Sequence, residues 1–368
     1  MKKLQEIDLV RGIAILAVVF IHASAGAVGG LPEGTPWHSF FFTANQLMLF
    51  AVPVFLFISG LVLAYRYKGR WDGREMLKFY RKRLTQIMIP FLVWSAVFYA
   101  YFYIVPRLVQ PSQIPGHWWS LLPWGQSSYH LYYLSIIIQF YLLFPILMEL
   151  LKRFPKLNAA LVPIGAAAQI AFYLANEHWG PFEHKPTIVF NYMFVLLTGC
   201  WIGWNYERWR SLHRKLGAPV VLFAVAAGGA FLVRVWTTGK VNWPALTYDT
   251  TFHLYGLAAA LLFLWLGAAV QSRRDRKPLR LLALIGQASF GIYLVHPLVL
   301  SMWDTYTKSA GLHAMNKAVL LGGFVVTVAV SLALSLGYSR AAIEWRGTRP
   351  ASGDVPQSPS GPGKALGA

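Results

Sequence analysis

The first apolar segment of the chain carries three ionisable side chains, Asp8, Arg11 and His22, where each costs roughly 2.5–3.5 kcal/mol or more unless paired or hydrated. Arg11 and His22 are eleven positions apart, and at about 100° per residue that spacing returns to within roughly 20° of the same helix face. About 16 Å separates them along the axis, so an arginine near one end of the segment lines up with a deep imidazole. Asp8, one turn before Arg11, is in range to pair with it. A guanidinium grips phosphate through a planar fork of donors. A neutral imidazole takes the proton from an attacking hydroxyl, or is itself transiently acylated. Together they suit transfer of a group from a phosphate-bearing donor to a hydroxyl at another depth. The plainer alternative makes Asp8 and Arg11 an interfacial anchor and His22 a helix–helix hydrogen bond.

Side chains held at such depths need a membrane around them, and the composition agrees. Of 368 residues, 56% are hydrophobic and 13% charged, with a mean hydropathy of +0.47, which leaves too little polar surface for a water-soluble body. Ten segments approach the roughly 20 apolar residues that a spanning helix needs: 7–29, 40–65, 87–105, 129–151, 157–174, 187–204, 216–236, 252–270, 281–303 and 315–338. The expected fold is all-α, a polytopic integral membrane protein of about ten transmembrane helices. One membrane domain covers 1–342, and 343–368 turn to Pro, Gly, Ser and Ala, which reads as a disordered cytoplasmic tail. The first segment lacks an A-x-A-like cleavage site and reads as a retained anchor.

Basic residues orient the helices, because Lys and Arg collect on the cytoplasmic side. Alternate gaps hold only Arg107, Lys185, Lys240 and Lys308, with Lys317 just inside the tenth segment. The other gaps carry clusters at Arg66–Arg83, Lys152–Lys156, Arg208–Lys215 and Arg273–Arg280, and Lys2, Lys3 and Arg340 fall on the same side. Both termini are therefore expected in the cytoplasm of a plasma-membrane protein. The net charge of +19 lies in these loop clusters, which points to anionic lipid headgroups and away from nucleic acid. The gap 66–86 reads as an amphipathic interfacial helix, with Met76, Leu77, Phe79, Tyr80 and Leu84 among the basic residues, or as a solvated connector. A single cysteine, Cys200, excludes an intrachain disulfide or a cysteine metal site. No metal-spaced histidine cluster, phosphate-binding glycine loop or dinucleotide fingerprint is present, so no metal is expected.

Five motifs in order carry a resemblance. Asp8-Leu9-Val10-Arg11-Gly12-Ile13-Ala14 with His22 is followed by Val52-Pro53-Val54-Phe55-Leu56-Phe57-Ile58-Ser59-Gly60, and then by Arg81-Lys82-Arg83 leading to Pro90. His130-Leu131-Tyr132-Tyr133-Leu134 continues to Tyr141 and Pro145, and Ser289-Phe290-Gly291-Ile292-Tyr293-Leu294-Val295-His296-Pro297 comes late. The set resembles the acyltransferase 3 family, in the stand-alone bacterial form that lacks an extracytoplasmic esterase-like domain. The resemblance implies a ten-helix O-acyltransferase that moves an acyl group, most simply acetyl, from cytoplasmic acetyl-CoA to a hydroxyl of a cell-surface or lipid-linked carbohydrate.

Carried over by position, His22 is the catalytic residue and Arg11 its functional partner, with Arg81 and Arg83 as phosphate contacts for coenzyme A. For the two loop arginines, topology alone is an equal explanation. Ser59 and Gly60 fit either a cofactor contact or a small-residue helix packing. Tyr293 and His296 are candidates to line the cavity, and Pro297 beside them frees a carbonyl that wants a donor. His130 is placed near the outer end of the fourth segment, to meet a glycan or sit at the interface. Asn45, His253 and Arg234 are weaker candidates for an acceptor. Trp118, Trp119 and Trp124 read as an interfacial belt or as a sugar-stacking platform. An export component for polysaccharide or lipid-linked sugar, with no acyl transfer, is the competing function. The sequence leaves the oligomeric state open.

Overall fold

The computed structural model describes residues 4–271, 276–312 and 316–347. Part of the basic cluster at Arg273 and Arg274, the expected start of the tenth segment at Met315, and the tail from residue 348 onward lie outside them. Fifteen helices follow one another: α1 (Gln5–Gly30), α2 (Pro36–Met48), α3 (Ala51–Tyr67), α4 (Gly73–Arg83), α5 (Ile89–Tyr99), α6 (Ile114–Leu121), α7 (Tyr132–Arg153), α8 (Leu161–His178), α9 (Met193–Trp204), α10 (Tyr206–Leu212), α11 (Gly217–Trp236), α12 (Thr247–Val270), α13 (Lys277–Gln287), α14 (Ser289–Ser309) and α15 (Lys317–Gly347). Among the described residues there is no strand. Eight helical stretches are long and apolar enough to cross a membrane, α13 and α14 together make a ninth, and 189–204 is a shorter apolar helix. Each of the ten expected segments thus has its helix, and the chain is an all-α, multi-pass membrane protein. Leu142, Ile146, Leu222, Val225 and Val325 are each at least 59% exposed, the outward apolar surface that lipid covers.

Prolines shape the spans. Pro53 has no N–H for the carbonyl of Leu49, and the second span breaks there into α2 and α3. Pro90 does the same to Gln86, and residues Leu84–Met88 widen into a π-turn between α4 and α5. Through that turn α4 runs straight into the third span, which extends from Gly73 to Ile104. The expected separate interfacial helix is therefore the extended end of a spanning one. Its Asp72 caps it, accepting from the Glu75 N–H at 2.7 Å, a bond that holds the carboxyl below its ordinary range. Phe79 anchors it among Tyr67, Trp71 and Phe144. The ninth span is likewise not one rod, because α13 and α14 meet at 79°.

Glycines let two pairs of helices approach without side chains between them. A Cβ on Gly60, Gly199 or Gly203 would strike the backbone of Leu196, Phe57 or Leu61 respectively, which closes α3 against α9. Gly12 faces Leu282 and Gly286 faces Asp8 in the same way, which closes α1 against α13. The α3 and α9 ends are tied by Lys68, whose Nζ donates to the Trp204 carbonyl at 2.6 Å. The clusters around Arg66–Arg83, Lys152–Lys156, Arg208–Lys215 and Lys277–Arg280 fall at one end of the bundle, called the basic end below.

Candidate active site

Three buried elements converge in the half of the bundle away from the basic end. α1 brings His22, α14 brings Tyr293 and His296, and the turn that enters α7 brings Tyr129 and His130. The His22 and His296 rings stack with centroids 5.3 Å apart, His296 and His130 meet edge-on at 5.2 Å, and Tyr129 lies 4.5 Å from His22. His296 is 0% and His130 2% exposed. His22 is half-buried and opens on a cavity of about 210 Å³ shared with Trp303, Asp304, Thr307 and Lys308.

Hydrogen bonding selects one form of the buried rings. His296 Nδ1 sits 2.8 Å from the Tyr293 carbonyl and 3.2 Å from that of Ile292. Carbonyls only accept, so in the neutral ring Nδ1 carries the proton and Nε2 keeps its lone pair. The Tyr293 carbonyl is free for this bond because Pro297 has no N–H to offer it, as the sequence anticipated. His130 Nδ1 pairs with Ser128 Oγ at 3.1 Å, and the Tyr293 hydroxyl donates to the His130 carbonyl. The Nε2 atoms of His130 and His296 have no hydrogen-bond partner among the described residues. The site therefore holds two buried, hydrogen-bonded imidazoles with open nitrogens beside a third that reaches a cavity. His22 itself makes no hydrogen bond among the described residues.

Further side chains lead from this cluster toward the basic end. Tyr293 packs on Tyr133 at 5.5 Å. Ser59, one turn along α3 from Phe55, donates to the Phe55 carbonyl at 2.8 Å. Arg83 stacks its guanidinium over the Tyr141 ring at 4.7 Å. Tyr141, Arg81 and Arg83 in turn line a cavity of about 490 Å³ with Leu77, Ile87 and Met88. Arg83 is turned inward, with a buried Nε, whereas Arg81 is exposed.

The remaining sequence candidates divide. Asp8 does not pair with Arg11 within 4.0 Å; its carboxylate accepts from Gln287 Nε2 at 3.1 Å across the α1–α13 seam. Gly60 lies on the α3–α9 seam, the packing option of the two left open. Asn45 is inside the protein, its amide donating to the Ile21 carbonyl and Ser24 Oγ, each at 2.9 Å, so it braces α1 beside His22. His130 is buried within the protein. His253 sits in a second polar cluster, between the Asp249 carbonyl at 2.8 Å and the Tyr173 hydroxyl at 2.9 Å. Arg234 donates to Thr238 at 2.9 Å. Of the tryptophans, Trp118 donates to Ser95 at 3.2 Å, Trp119 is 61% exposed, and Trp124 lines a cavity with His184. Sequence reasoning missed Tyr129 and Asp304; Asp304 was legible as an ionisable residue at the edge of the ninth apolar segment. Among the described residues no group of three or more His, Cys, Asp or Glu is arranged to hold a metal ion.

The chain is thus a multi-pass helical membrane protein with an interior histidine cluster that packs through Tyr293 on Tyr133. The acyltransferase domain of the acyltransferase 3 family matches residues 4–336, and the chain belongs to that family of membrane acyltransferases. It is 24% identical over 302 residues to a probable poly-beta-1,6-N-acetyl-D-glucosamine export protein of Staphylococcus epidermidis, covering 80% of this chain and 77% of the relative. A protein of the same description from Staphylococcus aureus strain MSSA476 is 21% identical over 280 residues, 73% of each chain. No solved structure matches.

Proposed function

We propose that the protein is a membrane O-acyltransferase that takes an acyl group, most simply acetyl, from acyl-CoA at the basic, cytoplasmic end. It delivers the group to a hydroxyl of a cell-surface or lipid-linked glycan at the opposite end. The observation that carries this reading is the contact run Tyr133, Tyr293, His130, His296 and His22, with Arg83 stacked over Tyr141 toward the basic end. The donor's phosphates suit Arg81 and Arg83, and its acyl-bearing arm follows the tyrosines inward. Helical side chains lean toward the helix N-terminus, and Arg11 starts about 16 Å from His22 along the axis. Arg11 therefore steadies the donor's arm, while His22 serves the reacting oxygen. His22 accepts the proton as the acceptor oxygen attacks the thioester carbonyl. The carbon–sulfur bond breaks, and the departing thiolate takes that proton, giving an ester and free coenzyme A. The His296 ring stacks on that of His22, and His130 backs it, so polar rings with open Nε2 atoms stand behind the reacting imidazole.

The relatives' description as export proteins supports a second reading, passage of polysaccharide without acyl transfer. Against it, the packing around Tyr293, His130 and His296, each 7% exposed or less, has no room for a pyranose ring, a wider body than the linear arm of acyl-CoA. Acetyl-CoA binding separates the two. Charge-assisted hydrogen bonds are worth about 1.5–3 kcal/mol, so Arg81→Ala should weaken acetyl-CoA roughly tenfold or more in protein that melts normally. No acetyl-CoA binding by the intact protein would put export first.

A further inference from the structure

At the end away from the basic clusters lies a second cavity, of about 570 Å³, whose walls include Tyr103, Trp124, Gln126, Ser128, Tyr129 and Glu183. Its size is that of small-molecule sites, roughly 300–1,000 Å³. We propose that it binds an uncharged oligosaccharide, the acceptor chain of the transfer described above, and so this inference rests on that reading.

The lining alternates aromatic faces with short amide and hydroxyl groups. A pyranose ring presents the complement, apolar C–H faces that stack on aromatic rings and hydroxyls at its edge that seek donors and acceptors. No Lys or Arg is among the lining residues, and Glu183 is. An anionic polymer or a phosphate headgroup would meet repulsion and no cationic grip. A hydrocarbon chain would strip water from Gln126, His184 and Glu183 with nothing in return.

The platform is also built in advance. Gly125 adopts a φ of +64°, and a Cβ there would strike the backbone of Leu131, so the turn folds tightly onto the start of α7. The Trp124 ring packs 4.4 Å from that of His184, and Gln126 Nε2 lies 3.1 Å from His184 Nδ1. The two loops that form the cavity thus hold each other, which lowers the ordering cost of binding. Tyr129 belongs to this cavity's wall, and its ring is 4.5 Å from His22. A saccharide chain seated on Trp124 therefore ends one side chain away from the reacting imidazole.

The test is calorimetric titration of the full chain in nanodiscs with the tetramer of N-acetylglucosamine, the sugar named for the relatives, beside the monosaccharide and acetyl-CoA. The tetramer should bind more tightly than the monosaccharide. Trp124→Ala and, separately, Gln126→Ala should weaken it at least roughly tenfold, about 1.4 kcal/mol, with acetyl-CoA affinity unchanged. Trp179→Ala, 76% exposed and outside this cavity, should bind as the intact protein does. Absent tetramer binding, equal affinity for tetramer and monosaccharide, or full affinity in both cavity variants would overturn the inference. Failure of acetyl-CoA alone would sink the transferase reading and leave saccharide binding standing.

Discussion

Replacing Pro297 with alanine should make the protein more stable and less active. Alanine in a helix interior is favoured over proline by about 3 kcal/mol. Removing two buried methylenes returns about 1.6 kcal/mol at roughly 0.8 each, leaving a net gain of about 1–2 kcal/mol. The new N–H donates to the Tyr293 carbonyl along the helix axis. His296 Nδ1 then loses its 2.8 Å partner and keeps the 3.2 Å one to Ile292. A bond worth about 0.5–1.5 kcal/mol is a factor of roughly 2–12 in the ratio of the correct tautomer to the other, and the transfer rate should fall by up to that factor. Denaturation in detergent reads the stability, histidine 15N shifts read the tautomer, and labelled-acetyl transfer reads the rate. A stabilised variant with the His296 tautomer and the rate both unchanged would refute the claim that Pro297 serves His296.

Asn45→Ala removes two hydrogen bonds to α1 flanking His22. It should cost about 1–2 kcal/mol and lower kcat with little change in KM for acyl-CoA, measured by melting and transfer kinetics. Gly203→Val should lower the melting temperature or abolish folded yield, since its side chain meets Leu61 backbone; overpacking of this kind costs about 1–3 kcal/mol or more. Gly229→Val, with open space at that position, should melt as the intact protein does.

Segment length and hydropathy were enough to find every spanning helix, because the bilayer imposes a length that no packing detail can alter. Breaks within spans were harder. Pro53 and Pro90 announce lost hydrogen bonds, but whether a span breaks, widens into a π-turn or bends by 79° depends on neighbours that spacing does not reveal. Arg11 and His22 were readable because they share one helix. Asp8 was assigned to Arg11 by proximity in sequence, whereas its carboxylate meets Gln287, brought from the far end of the chain by the Gly12 and Gly286 seam. His130 reads from its place at a helix end as a residue that meets a glycan or sits at the interface; its packing against Tyr293, set by the turn before α7, has no sequence signal. Tyr129 carries no sequence signal of its own; only the fold sets it between His22 and the saccharide-sized cavity.

Whether His22 carries acyl transfer can be read in inside-out vesicles. Labelled acetyl-CoA is supplied outside them to the intact protein and to His22→Ala, and label is followed into glycan, lipid-linked sugar and protein. Label should enter glycan or lipid-linked sugar with the intact protein and disappear in His22→Ala, while the variant still folds and binds acetyl-CoA. Equal label from both proteins would contradict a role for His22 in the transfer.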